Sequence, residues 1–94
     1  MFKELDPLLH SQLRLSIISL LIGVKSATFS FLLEKTGATR GNISVQLKKL
    51  EEAGYISIDK SFQDNYPLTT CRITKKGVEA FEIYVDALKD YLRK

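Results

Sequence analysis

The stretch Thr39-Arg40-Gly41-Asn42-Ile43-Ser44-Val45-Gln46-Leu47-Lys48-Lys49-Leu50-Glu51-Glu52-Ala53-Gly54-Tyr55-Ile56-Ser57-Ile58-Asp59 changes its hydrophobic period in mid-course. Ile43, Leu47 and Leu50 recur at four and three, one narrow stripe of a helix that Thr39 can cap and Gly54 can stop. Arg40, Asn42, Gln46, Lys48 and Lys49 must therefore point away from that stripe. Beyond Gly54 the period falls to two, and Tyr55 to Asp59 alternates as a half-buried strand does. The acids Glu51 and Glu52 come only in the last helical turn, where they oppose the helix dipole but leave its leading end free of negative charge. A helix of about residues 40–53 running into a strand is the reading from which the rest follows.

Upstream, Thr28 is placed to cap a short helix with Phe29, Leu32 and Leu33 on one face, closed by Gly37. Before it, Asp6-Pro7 has the composition of a helix start. Leu9, Leu13, Ile17, Leu20, Leu21 and Val24 then form an apolar face that Leu8, Leu15, Ile18 and Ile22 widen, and Gly23 ends the helix. Downstream, Gln63-Asp64-Asn65-Tyr66-Pro67 reads as a hairpin loop, and Cys71 to Thr74 alternates again as a second strand. Thr74 caps a long last helix, Lys75 to Leu92. One stripe of that helix is Val78, Phe81, Val85, Leu88 and Leu92; a second is Ala80, Tyr84, Ala87 and Tyr91. One stripe suffices to dock a helix, so the second is expected to lie unpartnered within the chain and to serve dimerisation.

The whole is 94 residues, too little for two separately buried cores, so residues 1–94 are expected to form one domain. Apolar residues make up 45% and charged residues 27%, the balance of an ordinary globular chain rather than a disordered one. The most apolar run, Leu15 to Val24, is half the length of a membrane span, and Glu4 and Asp6 lie where a signal peptide carries positive charge. With Cys71 as the single cysteine, neither an internal disulfide nor a thiolate zinc site can be built. The expectation is a cytoplasmic protein without membrane association.

Net charge is +3, but its distribution is uneven. Between residues 25 and 50, five cations (Lys25, Lys35, Arg40, Lys48 and Lys49) face only Glu34; between 60 and 76, Lys60, Arg72, Lys75 and Lys76 face only Asp64. Both ends are nearly neutral. Localised positive charge is what a polyanionic partner requires, although a solvated lysine surface has the same composition.

Helix, helix, helix, hairpin, helix is an order with a known counterpart. Leu47-Lys48-Lys49-Leu50-Glu51-Glu52-Ala53-Gly54-Tyr55-Ile56 resembles the end of the recognition helix and first wing strand of winged helix-turn-helix regulators. Thr69-Thr70-Cys71-Arg72-Ile73-Thr74-Lys75-Lys76-Gly77 resembles their second wing strand entering the last helix. Leu9 to Leu15 and Gly41 to Leu47 are similar to the short single-domain group near the MarR and ArsR families, and the likeness extends over about residues 7–92. The resemblance implies an α+β, mainly α, winged helix-turn-helix fold with three helices, a two-stranded hairpin wing and a long C-terminal helix. It also implies a homodimeric transcriptional regulator whose partner is double-stranded DNA.

Carried onto this sequence, the resemblance puts the third helix in the major groove, where each base pair offers a distinct pattern of donors and acceptors. Arg40 is then suited to a guanine edge, and Asn42 or Gln46 to adenine; Thr39, Ser44, Lys48 and Lys49 suit phosphate. Asn42 and Ser44 are equally open to capping or packing roles. The hairpin departs from the family, because its tip offers Gln63, Asp64 and Asn65 rather than cations. Lys60 and Arg72 are expected to make backbone contacts at most.

His10 has no ligand cluster near it, and Cys71 alternates inward with Ile73 as a small hydrophobe would. No phosphate loop, carboxylate pair or nucleophile arrangement is present, so neither enzymatic activity nor a cofactor or metal is expected. The alternative function is a winged-helix adaptor that contacts protein through the same surfaces without touching DNA.

Overall fold

The computed structural model describes residues 2–93. Its elements run α1 (Gln12–Val24), β1 (Ser26–Thr28), α2 (Phe29–Thr36), α3 (Arg40–Glu52), β2 (Ile56–Gln63), β3 (Tyr66–Ile73) and α4 (Lys75–Leu92). The winged helix-turn-helix order read from the sequence is present, with one strand more than expected. Three residues are too few to show a period, so β1 left no trace in the pattern. It pairs antiparallel with β3, Ala27 opposite Cys71, giving a three-stranded sheet of order β1-β3-β2.

Each threonine placed at a helix start does cap it. The side chain of Thr28 accepts from the Phe31 amide, Thr39 from Asn42 and Thr74 from Gly77, at 3.0–3.2 Å. Gly37, at φ 69°, ends α2 in the left-handed conformation that glycine adopts without a Cβ penalty.

The Asp6-Pro7 signal marks a turn rather than the start of α1. The Asp6 carbonyl accepts from the amides of Leu9 and His10, and its carboxylate from that of Leu8. Ser11 then takes an extended conformation, and the helix proper begins at Gln12. The hairpin loop is also shorter than its composition suggested. Asp64 and Asn65 alone turn the chain, both at positive φ (50° and 68°), as a two-residue type I′ turn requires. Gln63, Tyr66 and Pro67 consequently belong to the strands. Pro67 lies where β3 has passed the end of β1 and has only one neighbour.

The core joins Leu9, Ile17, Ile18 and Leu21 to Leu32 of α2, to Ile43, Leu47 and Leu50 of α3, and to Ile56 and Cys71 of the sheet. At about 2 kcal/mol for each large apolar side chain, the three residues of α3 anchor it firmly and fix which face it turns outward. On α4 the inward residues are Gly77, Tyr84 (4% exposed) and Ala87. This corrects the expectation that the stripe Ala80, Tyr84, Ala87 and Tyr91 lies unpartnered, although Tyr91 remains 43% exposed. The stripe is not left unpartnered: Tyr84 and Ala87 are buried, Ala80 packs against the core and Tyr91 stacks on Phe2 at 4.5 Å. The Tyr84 hydroxyl lies 3.1 Å from Nδ1 of His10, which gives that histidine a partner other than a metal. Among the described residues no helix is long and apolar enough to cross a membrane.

Candidate nucleic-acid interface

With Ile43, Leu47 and Leu50 buried, a turn of 100° per residue places every other position of α3 on its flanks or outer face. Thr39, Arg40, Asn42, Ser44, Lys48 and Lys49 are all exposed. Among the described residues the salt bridge present joins Lys89 to Asp86 on α4, so none of these cations is neutralised by an acid.

The two flanks differ. Toward the hairpin, Ser44, Lys48 and the acid Glu51 of α3 line a groove of about 620 Å³ with Lys60, Thr69 and the apolar Phe29 and Ile58. Arg40 lies on this side too, its guanidinium 5.5 Å from the centre of the Phe29 ring, which holds the charge near the leading end of α3. Toward α1, Asn42, Gln46 and Lys49 follow one another at helical spacing.

Gln46 is the predicted contact whose side chain is engaged at both its oxygen and its nitrogen. Its Oε1 accepts from Nη1 of Arg14 on α1, and its Nε2 donates to Oδ1 of Asn42 at 2.9 Å. Arg14 also donates through Nε to the Leu8 carbonyl at 2.6 Å. The sequence reading passed over Arg14, since nothing local connects a cation in α1 to an amide 32 positions later.

Arg72 is the residue the structure sets apart. In the β2–β3 register Lys60 opposes Thr69 while Arg72 opposes Ser57, so the two cations lie on opposite faces of the sheet. Lys60 shares its face with Ile58 and Cys71 and turns toward α3. Arg72 instead lines a hollow with Lys25 and Lys75, beside Ile22 and Val78. The structure does not bring Lys60 and Arg72 together.

Two apolar features also escaped the sequence reading. Val45 is 51% exposed in the middle of the outer face of α3; its position two residues after Ile43, off the buried stripe, was the available signal. At the hairpin tip Phe62 and Tyr66 are 78% and 74% exposed on either side of Asp64-Asn65.

Behind the interface, the Tyr55 hydroxyl donates to the Asp6 carboxylate. Burial, that hydrogen bond and the Asp6 charge push the phenol up to about 12. Cys71 is fully buried; burial first, and then the negative charge of Glu51, push its thiol up to about 11. A thiol so hidden and so weakly acidic suits packing, not redox chemistry. Among the described residues no group of three or more His, Cys, Asp or Glu is arranged to hold a metal.

Residues 13–92 match the family model described as a winged helix DNA-binding domain. An uncharacterized protein of Methanocaldococcus jannaschii is 40% identical over 76 residues, covering 81% of this chain and 83% of that one. Among solved structures, a transcriptional regulator homologue from Pyrococcus horikoshii OT3 superimposes with a TM-score of 0.84 at 28% identity, covering 90% of this chain and 84% of that chain. The YusO protein of Bacillus subtilis shares the fold at 16% identity with a TM-score of 0.73, covering 94% of this chain and 58% of its own.

Proposed function

The chain belongs to the winged helix DNA-binding domain family, and we propose on that footing that it is a single-domain, homodimeric transcriptional regulator that reads double-stranded DNA with α3 in the major groove. The observation that carries this reading is the unobstructed outer side of α3. A capped helix with cations on both flanks is anchored by three buried residues, so it can enter a groove as a rigid unit.

In this reading Arg40 contacts a guanine edge, Asn42 a base and Val45 a thymine methyl group, while Thr39, Ser44, Lys48, Lys49 and Lys60 hold phosphates. Gln46 acts on Asn42 rather than on DNA, and Arg72 is outside the interface. Dimerisation involves the apolar residues α4 leaves outside, Ile83 (67% exposed), Tyr91 and Leu92, in place of Tyr84 and Ala87. Two-fold symmetry then puts half-sites roughly 10 base pairs apart in a pseudo-palindromic operator.

The test is selection of bound duplexes from a random pool, followed by salt titration of the selected site. A pseudo-palindromic motif with affinity falling steeply with salt is the expected result; binding indifferent to both sequence and salt would end the proposal. The exposed Phe62 and Tyr66 around Asp64 favour one second reading, an adaptor that docks protein with its hairpin tip. Stoichiometric capture of a protein partner with no duplex retained would establish it instead.

A further inference from the structure

We infer that Arg14 is a positioning residue that sets the polarity with which Asn42 meets a base, through the chain Arg14–Gln46–Asn42. The inference rests on the reading that α3 enters the major groove, and adds what one of its positions selects. The argument is one of donors and acceptors. A guanidinium has five N–H donors and no acceptor, so the side chain of Gln46 must turn its oxygen toward Arg14. Its amide nitrogen is thereby committed to the other side, where it donates to Oδ1 of Asn42 at 2.9 Å. Asn42 must in turn hold its oxygen toward Gln46, which leaves its own NH2 on the exposed side of the helix. Among the described residues that nitrogen makes no hydrogen bond within the chain.

The cation is itself held. Nε of Arg14 donates to the Leu8 carbonyl at 2.6 Å, in the turn before α1, so the guanidinium is fastened at one end and directs two amides from the other. An asparagine free to flip can pair with adenine through both its atoms. With Oδ1 engaged along the helix, Asn42 instead offers donors. Its partner is then a base whose major-groove edge presents acceptors, such as guanine O6 and N7 or thymine O4, while cytosine, which presents an N–H donor there, is disfavoured.

The experiment is duplex selection from a random pool with the wild-type chain and the variants Asn42→Ala, Arg14→Met, Arg14→Lys and Gln46→Glu, each checked for a cooperative thermal transition. Asn42→Ala identifies the contacted base pair as the one whose preference disappears. There the wild type is expected to favour guanine or thymine over cytosine by roughly fivefold, the worth of one hydrogen bond. Arg14→Met is expected to flatten that preference to within about twofold while sparing the other positions and the salt slope. Arg14→Lys, still a pure donor, retains the preference. Gln46→Glu accepts from Arg14 but has no proton for Asn42, so Asn42 turns its NH2 inward and its oxygen outward, and selection reverses toward cytosine or adenine. Should Arg14→Met fail to fold, the reversal by Gln46→Glu decides. An unchanged motif in folded Arg14→Met or Gln46→Glu overturns the inference, and so does a salt slope reduced by about one in Arg14→Met, the mark of a phosphate contact. If the wild type retains no duplex, the DNA reading itself fails and takes this inference with it.

Discussion

Gly77 and Tyr55 meet backbone to backbone: a β-carbon on Gly77 would strike the Tyr55 carbonyl oxygen and crowd the side chain of Ile73. The same carbonyl accepts from the Thr74 amide at 3.1 Å, and the Thr74 hydroxyl donates to the Gly54 carbonyl at 2.6 Å. The end of α3, the start of β2 and the first turn of α4 are therefore joined at one point. Because the hairpin and α3 share this junction, its geometry sets the angle at which Lys60 faces Ser44 and Lys48.

Gly77→Ala is accordingly expected to destabilise the domain by about 2–3 kcal/mol, the cost of forcing an extra carbon into close-packed backbone. Chemical denaturation measures it. A change of a few tenths would mean that α4 can shift away freely.

Alkaline pH is expected to weaken the fold in a defined window. Burial raises the Cys71 thiol from 9.0 to about 11, and burial with the Asp6 contact raises the Tyr55 phenol from 10.0 to about 12. The folded state thus favours both protonated forms. Their contribution is complete below pH 9 and disappears as pH rises through 11 and 12, where the unfolded chain is the better acid. Melting temperatures between pH 8 and 12 follow this, and Tyr55→Phe should show a lower plateau but a shallower decline above pH 10. Equal declines in the two proteins would remove Tyr55 from the explanation.

Charge substitutions should separate three roles at the proposed interface. Lys49→Ala and Lys60→Ala are each expected to weaken all duplexes alike and lower the salt slope by about one. Arg40→Ala is expected to cost about 1–3 kcal/mol and relax preference at one base pair. Arg72→Ala should leave affinity unchanged, since its side chain is on the far face of the sheet. Loss of affinity in that variant would show that DNA reaches around the hairpin.

Ile83→Glu tests the dimer. Sedimentation at micromolar concentration is expected to give twice the chain mass for the wild type and a single chain for the variant, because a buried unpaired carboxylate opposes association. A wild-type protein of single-chain mass would exclude the homodimer and its paired half-sites.

What lay open in the sequence was whatever depends on neighbours a few positions apart. The three threonine caps, the glycine stop after α2 and the stripe Ile43-Leu47-Leu50 are local, and they fixed the helices, the hairpin and the outward polar side of α3. Local composition misled at edges: at Asp6-Pro7, where a turn and a helix begin alike; at Gly23, which stays inside α1 while the chain turns at Lys25 (φ 72°) instead; and around Asp64-Asn65, where strand ends resemble loop.

Only the tertiary structure decided which faces those elements turn to one another. Strand side chains alternate, so the register that follows the two-residue turn sends Lys60 toward α3 and Arg72 away from it; a slip of β3 by one residue would bring both cations to the same face. Helix α4 carries apolar residues on two adjoining stripes, and only its docking determined that Tyr84 and Ala87 go inward while Ile83 stays out. The link from Arg14 to Gln46 likewise exists only because α1 and α3 pack together, bringing a cation beside an amide far along the chain. Caps and periods arise from a single backbone segment, whereas parity, docking and side-chain pairing arise between segments, and a sequence specifies those only through the packed whole.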